Sequence, residues 1–124
     1  MTDTNTNNDS IEQLNERLTR FARDRDWEQF HSPKNLSMAL IAEAAELVEH
    51  FQWLSEEQSY NLSEEKHEEV SLELADILIY LIRTAERLDI DLLKAAWRKV
   101  EINESRYPVE KVSGSAKRAE EYDL

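Results

Sequence analysis

The sequence predicts an all-α protein, an antiparallel four-helix bundle completed by homo-oligomerisation. Three observations carry this. Apolar residues recur at three- and four-residue spacing in four separate stretches. One Gly and two Pro among 124 residues are too few turn-formers for a many-stranded protein. Leu74, Ala75, Ile77, Leu78, Ile79, Tyr80, Leu81 and Ile82 cover nearly every direction around one helix, and a helix apolar all round is normally buried all round. A four-helix monomer of this length can hardly do that alone, so packing against a second copy is expected.

Residues 1–9 are polar and are expected to be disordered. Ser10, with Gln13 three residues on, opens the first helix as a capping box would. Ile11, Leu14, Leu18, Phe21 and Ala22 form its apolar stripe, and it frays around Asp24–Asp26. The connector that follows, Trp27 to Asn35, holds two large aromatics and a His, which is unusual for a simple link. Pro33 suits a helix start, and the second helix is expected from about Lys34 to Leu54. Residues 55–62 read as a polar break. Ser63, Glu64 and Glu65 begin a third helix that runs to about Leu88. Asp91 caps the fourth, which ends before Pro108. One domain is expected over 10–108, followed by a polar tail over 109–124 that holds the only Gly, Gly114.

Charge and composition exclude several classes. Lys+Arg number 15 against 27 Asp+Glu, a formal net charge of −12. That argues against a nucleic-acid polymer as partner, although a small polyphosphate can bind if cations stand between the negative groups. With no Cys there is no disulfide framework, thiolate metal site or thiol nucleophile. Met1–Ser10 lacks the apolar run of a signal peptide, and the longest unbroken apolar run, Ile77–Ile82, is far too short to span a membrane. A cytoplasmic location without membrane partners is expected.

The informative residues are acids set in apolar context. Asp76 sits between Leu74-Ala75 and the run from Ile77 to Ile82, with Glu73 one turn earlier. Glu43 and Glu46 repeat the arrangement in the second helix. An ionised carboxylate in an apolar setting is costly unless it is paired or bound to a cation. Spacing of i, i+3 puts each pair on one helix face, so two facing helices would gather four acids around one point. Such a group must take up protons or hold cations. Oxygen donors without Cys or an obligatory His suit Mg²⁺ or Mn²⁺. The plainer alternative for each acid is a solvated helix face.

Glu43-x-x-Glu46, a 26-residue gap and Glu73-x-x-Asp76 resemble the metal motif of the MazG-like, all-α nucleotide pyrophosphohydrolases. Within these the dCTP pyrophosphatase group is most similar. The stretch Arg25 to Leu36, with its Trp-Glu-Gln-Phe step, resembles that group's loop before its second helix. Phe51-Gln52-Trp53, Glu73 to Leu81, and Lys99, Asn103 and Arg106-Tyr107-Pro108 match as well, so the resemblance spans roughly residues 10–110. It implies hydrolysis of a nucleoside triphosphate between the α and β phosphates, giving monophosphate and pyrophosphate, in the control of nucleotide pools. It implies that Glu43, Glu46, Glu73 and Asp76 hold Mg²⁺, and Glu46 is assigned as the base that takes the water's proton.

The remaining matched residues receive roles beside plainer ones. Lys99, Asn103 and Arg106 share a helix face and are candidates for phosphate oxygens, or a solvated stripe. Trp53 lies seven residues after Glu46 and Tyr80 four after Asp76, so both should point near the acids and could sandwich a base, or serve as core aromatics. Trp27, Phe30 and His31 are candidates to close over the base, and Asn35 to hydrogen-bond sugar or base. Lys111 and Lys117 in the tail are candidates for phosphate. Leu18 departs from the pattern, standing where animal members of the group carry a His that contacts base or sugar.

Two rival readings stand beside this one. A di-iron carboxylate bundle needs paired Glu-x-x-His steps, and only Glu64-x-x-His67 has that spacing. A non-catalytic helical oligomerisation or regulatory module would instead pair its acids with Lys and Arg.

Overall fold

A computed structural model describes residues 10–121; the expectation of disorder over 1–9 and the last three residues of the tail lie outside them. The described residues are helices and turns, without strands. They divide between two compact units, one ending at Ile90 and the other beginning at Asp91.

In the first unit, Ser10 Oγ accepts the Gln13 amide at 3.1 Å and starts α1, Ile11–Asp24. α1 closes with the Asp26 amide on the Arg23 carbonyl and the Trp27 amide on the Ala22 carbonyl, a Schellman pair. Asp26 takes the left-handed position at φ 56°, where Gly is the usual residue. A 3₁₀ turn, Glu28–Phe30, leads on to α2, Pro33–Glu49, capped by Ser32 with Pro33 in its first turn.

α2 ends before the expected Leu54. The amides of His50 and Phe51 turn inward onto the Leu47 and Val48 carbonyls, three residues back, which tightens the chain out of the α-helix. Phe51, Trp53 and Leu54 keep the apolar spacing, so the pattern alone runs on. The expected polar break also contains a short helix, α3, Glu56–Ser59, started by a capping box between Ser55 and Gln58. Ser63 then caps α4, Glu64–Arg87. α4 repeats the Schellman ending, with Asp89 on Glu86, Ile90 on Ala85, and Asp89 at φ 55°.

α4 packs against both α2 and α1. Lys66 near its start meets His50 at the end of α2, and Arg87 near its end meets His31 just before α2. α2 and α4 therefore run antiparallel, as expected for neighbours on a short link. Among the described residues the buried apolar side chains are only Ala22, Leu36, Val70, Ile82 and Ala85. Met38, Ile41 and Val48 on α2 and Leu72, Leu74, Leu78 and Leu81 on α4 remain exposed in the single chain.

The second unit holds α5, Leu92–Arg106, capped by Asp91, and α6, Val109–Val112, followed by a 3₁₀ turn at Ala119–Glu121. α5 ends ahead of Pro108 as expected. Gly114, at φ 78°, makes the left-handed turn between α6 and the last segment. The Tyr107 hydroxyl accepts the Ala119 amide at 3.0 Å and ties that segment back.

Candidate active site

Antiparallel packing of α2 on α4 brings the acids of the two helices together. One carboxylate oxygen each from Glu43, Glu73 and Asp76 lies within 4.8 Å of the other two. All three residues are half-buried, while Glu46, one turn after Glu43, is exposed at the rim. A hydrogen bond with Glu46, burial, and the charges of Glu46 and Asp76 push Glu43 up to about 7. Glu73 is raised as well, first by burial and then by the charge of Glu46. Glu43 Oε2 and Glu73 Oε2 are cut off from solvent with no hydrogen-bond donor to serve them. Like charges this close, with two oxygens lacking donors, favour either protons or a hard cation. An oxygen-only donor set of three to four carboxylates fits a divalent ion of the Mg²⁺ type.

Tyr80 lies one turn beyond Asp76. Its hydroxyl is held above the usual phenol range by burial and then by the charges of Glu43 and Asp76. The spacing argument for Trp53 fails. α2 ends at Glu49, so the seven-residue step from Glu46 is not helical, and Trp53 is 87% exposed on the turn beyond.

The Trp27–Asn35 connector is held at the far end of α4. The Trp27 ring meets Phe21 edge-on at 5.7 Å between centroids. Phe30 is exposed, and its carbonyl accepts Asn35 Nδ2 at 3.1 Å, so the Asn35 amide is engaged in bracing the loop. His31 is half-buried and docked on two arginines. Its Nδ1 is 3.3 Å from Arg83 Nη2, and its carbonyl accepts Arg87 Nε at 3.1 Å. Arg83 is a contact that sequence reasoning missed. The signal was present, a cation inside Leu81-Ile82-Arg83-Thr84-Ala85, but besides Glu86 on α4 its partners come from α1 and the connector, which no local pattern reveals. Glu73, Asp76, Tyr80, Arg83 and Arg87 follow one another at alternating three- and four-residue steps, a single stripe along α4.

In the second unit, Lys99, Asn103 and Arg106 share one face of α5 by spacing. Arg106 Nη2 lies 3.7 Å from Glu120 Oε2, and Lys111 is exposed on α6. Leu18 is half-buried on α1.

Comparisons with known proteins agree with the helical architecture. The model of the MazG-like family matches residues 39–122. dCTP pyrophosphatase 1 of Rattus norvegicus is 42% identical over 109 residues, 86% of this chain and 64% of that protein. The Homo sapiens protein of the same name is 39% identical over 111 residues, 88% of this chain and 65% of the relative. The chain thus spans a little under two thirds of these relatives. A crystal structure described as a pyrophosphatase from Archaeoglobus fulgidus aligns with a TM-score of 0.75 at 39% identity, covering 79% of this chain and 92% of that one. With two thirds of its length matched by the family model and its helices laid out as in a solved relative, the chain belongs to the MazG-like family.

Proposed function

We propose that the protein is a Mg²⁺-dependent nucleoside triphosphate pyrophosphohydrolase. It cleaves dCTP or a base-modified dCTP between the α and β phosphates, releasing monophosphate and pyrophosphate, and keeps unwanted nucleotides out of the pool. The observation that carries this reading is the meeting of Glu43, Glu73 and Asp76 across two helices with two oxygens lacking donors. The dCTP pyrophosphatases to which the chain is similar support the choice of substrate.

Glu43, Glu46, Glu73 and Asp76 would hold the cation. When bound, it offsets the triphosphate's charge, polarises the phosphorus and makes water more acidic; Mn²⁺ is an alternative. Glu46, the most exposed of the four, is the carboxylate assigned to take a proton from the attacking water. Tyr80, whose hydroxyl feels the charges of Glu43 and Asp76, is assigned to one face of the base, with Trp27, Phe30, His31 and, on the resemblance alone, Trp53 as further base contacts. Asn35 braces the loop and so acts on base or sugar through it. Lys99, Asn103, Arg106 and Lys111 are assigned to phosphate oxygens on the resemblance alone. The catalytic domain is residues 10–108, in the cytoplasm. Among the described residues no helix is long and apolar enough to cross a membrane. The small buried core and the exposed apolar faces of α2 and α4 support a homo-oligomer, dimer or tetramer.

The test is product analysis. Each of the common ribo- and deoxynucleoside triphosphates is incubated with the protein and Mg²⁺. Monophosphate with pyrophosphate is the expected outcome, fastest from dCTP. Diphosphate with orthophosphate contradicts cleavage at the α phosphorus. Absence of turnover in every reaction returns the chain to a non-catalytic module. Glu46→Gln should lower kcat by about 10²–10⁴-fold, the usual worth of a positioned base.

A further inference from the structure

The connector before α2 is pinned by a side chain that has no part in the acid cluster. Arg83 is only 3% exposed. Its Nη1 donates to Thr19 Oγ1 on α1 at 3.2 Å and to Glu86 Oε2 at 3.3 Å, and its Nη2 faces His31 Nδ1 at 3.3 Å. A guanidinium has five donor hydrogens, no acceptor, and stays protonated. The imidazole nitrogen facing it must therefore be the acceptor. An Nδ1 that accepts carries no proton, so the single proton of the neutral ring sits on Nε2.

The charged groups around the ring agree. Arg83 and Arg87 both oppose a positive imidazole, while Glu28 favours one. Burial is the largest influence, followed by the two arginines, and together they hold His31 below the usual histidine range. Among the described residues nothing takes a hydrogen bond from Nε2. The backbone is fixed too, because Arg87 Nε holds the His31 carbonyl. Neutral charge, one tautomer, fixed backbone and an uncommitted N–H together describe a pre-set hydrogen-bond donor, not a general base.

We propose that Arg83 is a positioning residue that locks His31 as the neutral Nε2–H tautomer, so that the connector presents one oriented donor to an acceptor atom on the edge of the nucleobase. This rests on the pyrophosphohydrolase reading for the identity of the ligand, but not for the state of the ring. Arg83 itself touches no substrate. It acts from the same α4 stripe that carries Asp76 and Tyr80, which ties base recognition to the helix of the acid cluster. Lys at this position would keep a charge but lose the fork that serves Thr19, Glu86 and His31 together.

The experiment uses the full chain with ¹⁵N-labelled histidine. There are three histidines, His31, His50 and His67, and His31→Gln identifies the signals of interest. Long-range ¹H–¹⁵N spectra near neutral pH report the tautomer without any substrate. The wild type should show His31 as neutral Nε2–H. Arg83→Met should release it to a tautomer mixture with a higher pKa. Arg83→Gln, which restores one N–H donor, should recover the wild-type pattern in part. Thr19→Val, which removes a partner of Arg83 but leaves the bond to His31, should keep it. In kinetics Arg83→Met should raise KM by up to about tenfold, the scale of one neutral hydrogen bond, with kcat within about twofold.

A charged or Nδ1–H imidazole in the wild type overturns the proposal. So does an Arg83→Met variant that keeps both tautomer and KM, or a Thr19→Val variant that shifts the ring as much as Arg83→Met does. Should the wild type show the expected tautomer yet hydrolyse no triphosphate, the functional reading falls and takes the base contact with it, while the Arg83–His31 coupling stands.

Discussion

Stripping divalent cations from the acid cluster should make stability depend on pH in a direction opposite to that of a salt-bridged carboxylate. Glu43 is raised from 4.5 to about 7 in the folded protein. A proton is therefore bound more tightly in the folded state than in the unfolded one. Stability from this group is fully present below about pH 4.5 and is lost as pH rises through about 7. A displacement of this size would cost the ionised form about 3 kcal/mol for a fully sheltered group. Glu43 is only half-buried, and solvent screening lowers the figure to about 1–2 kcal/mol.

The assay is urea unfolding in EDTA across that pH range, on the wild type and on Glu43→Gln. The remaining acids of this chain also repel one another more as pH rises, so the wild-type slope alone proves little; the difference between the two proteins isolates Glu43. The wild type should lose about 1–2 kcal/mol more than the variant between the ends of the range. Excess Mg²⁺ should remove most of that difference, because the cation then supplies the positive charge. Parallel curves in EDTA, or a wild type that gains stability relative to Glu43→Gln as pH rises, would refute the crowding of carboxylates from which the site is built.

Other outcomes follow from local features. Asp89→Gly should raise stability by about 0.5–1 kcal/mol, read from the denaturation midpoint, since it relieves a left-handed non-Gly residue and removes a negative charge at the C-terminus of α4. Leu36→Ala should cost about 2–5 kcal/mol in the same measurement, as Leu36 is 2% exposed and sits where α2 enters the core. Mg²⁺ with dCTP should raise the thermal midpoint, with stabilisation of about 2.7 kcal/mol when free nucleotide is a hundredfold above its dissociation constant; a midpoint unmoved by the pair counts against the proposed site.

The helices were legible where capping chemistry was local. Ser10, Ser63 and Asp91 each accept an amide hydrogen bond from three residues ahead and each marks a helix start visible in the sequence, while Ser32 does the same for α2, whose start the sequence signals by Pro33. The end of α2 was not legible, because Phe51 and Trp53 keep the apolar rhythm after the backbone has tightened. The meeting of Glu43 with Glu73 and Asp76 could be anticipated, since two equal steps on neighbouring antiparallel helices converge on their own. The distant partners of Arg83 could not. Thr19 is 64 positions away and His31 is 52, and nothing in either neighbourhood announces a guanidinium.

The alternating three- and four-residue steps from Glu73 to Arg87 turn α4 into a ruler. Each residue advances the rod by about 1.5 Å and rotates it by about 100°, so Asp76 and Arg83 are held about 10 Å apart with their side chains in line. A single inserted or deleted residue between them would swing the arginine end a quarter-turn or more out of alignment while leaving the helix intact. A change in the length of the 50–63 link leaves this alignment within α4 intact, whereas a change in length between Glu73 and Arg87 breaks it.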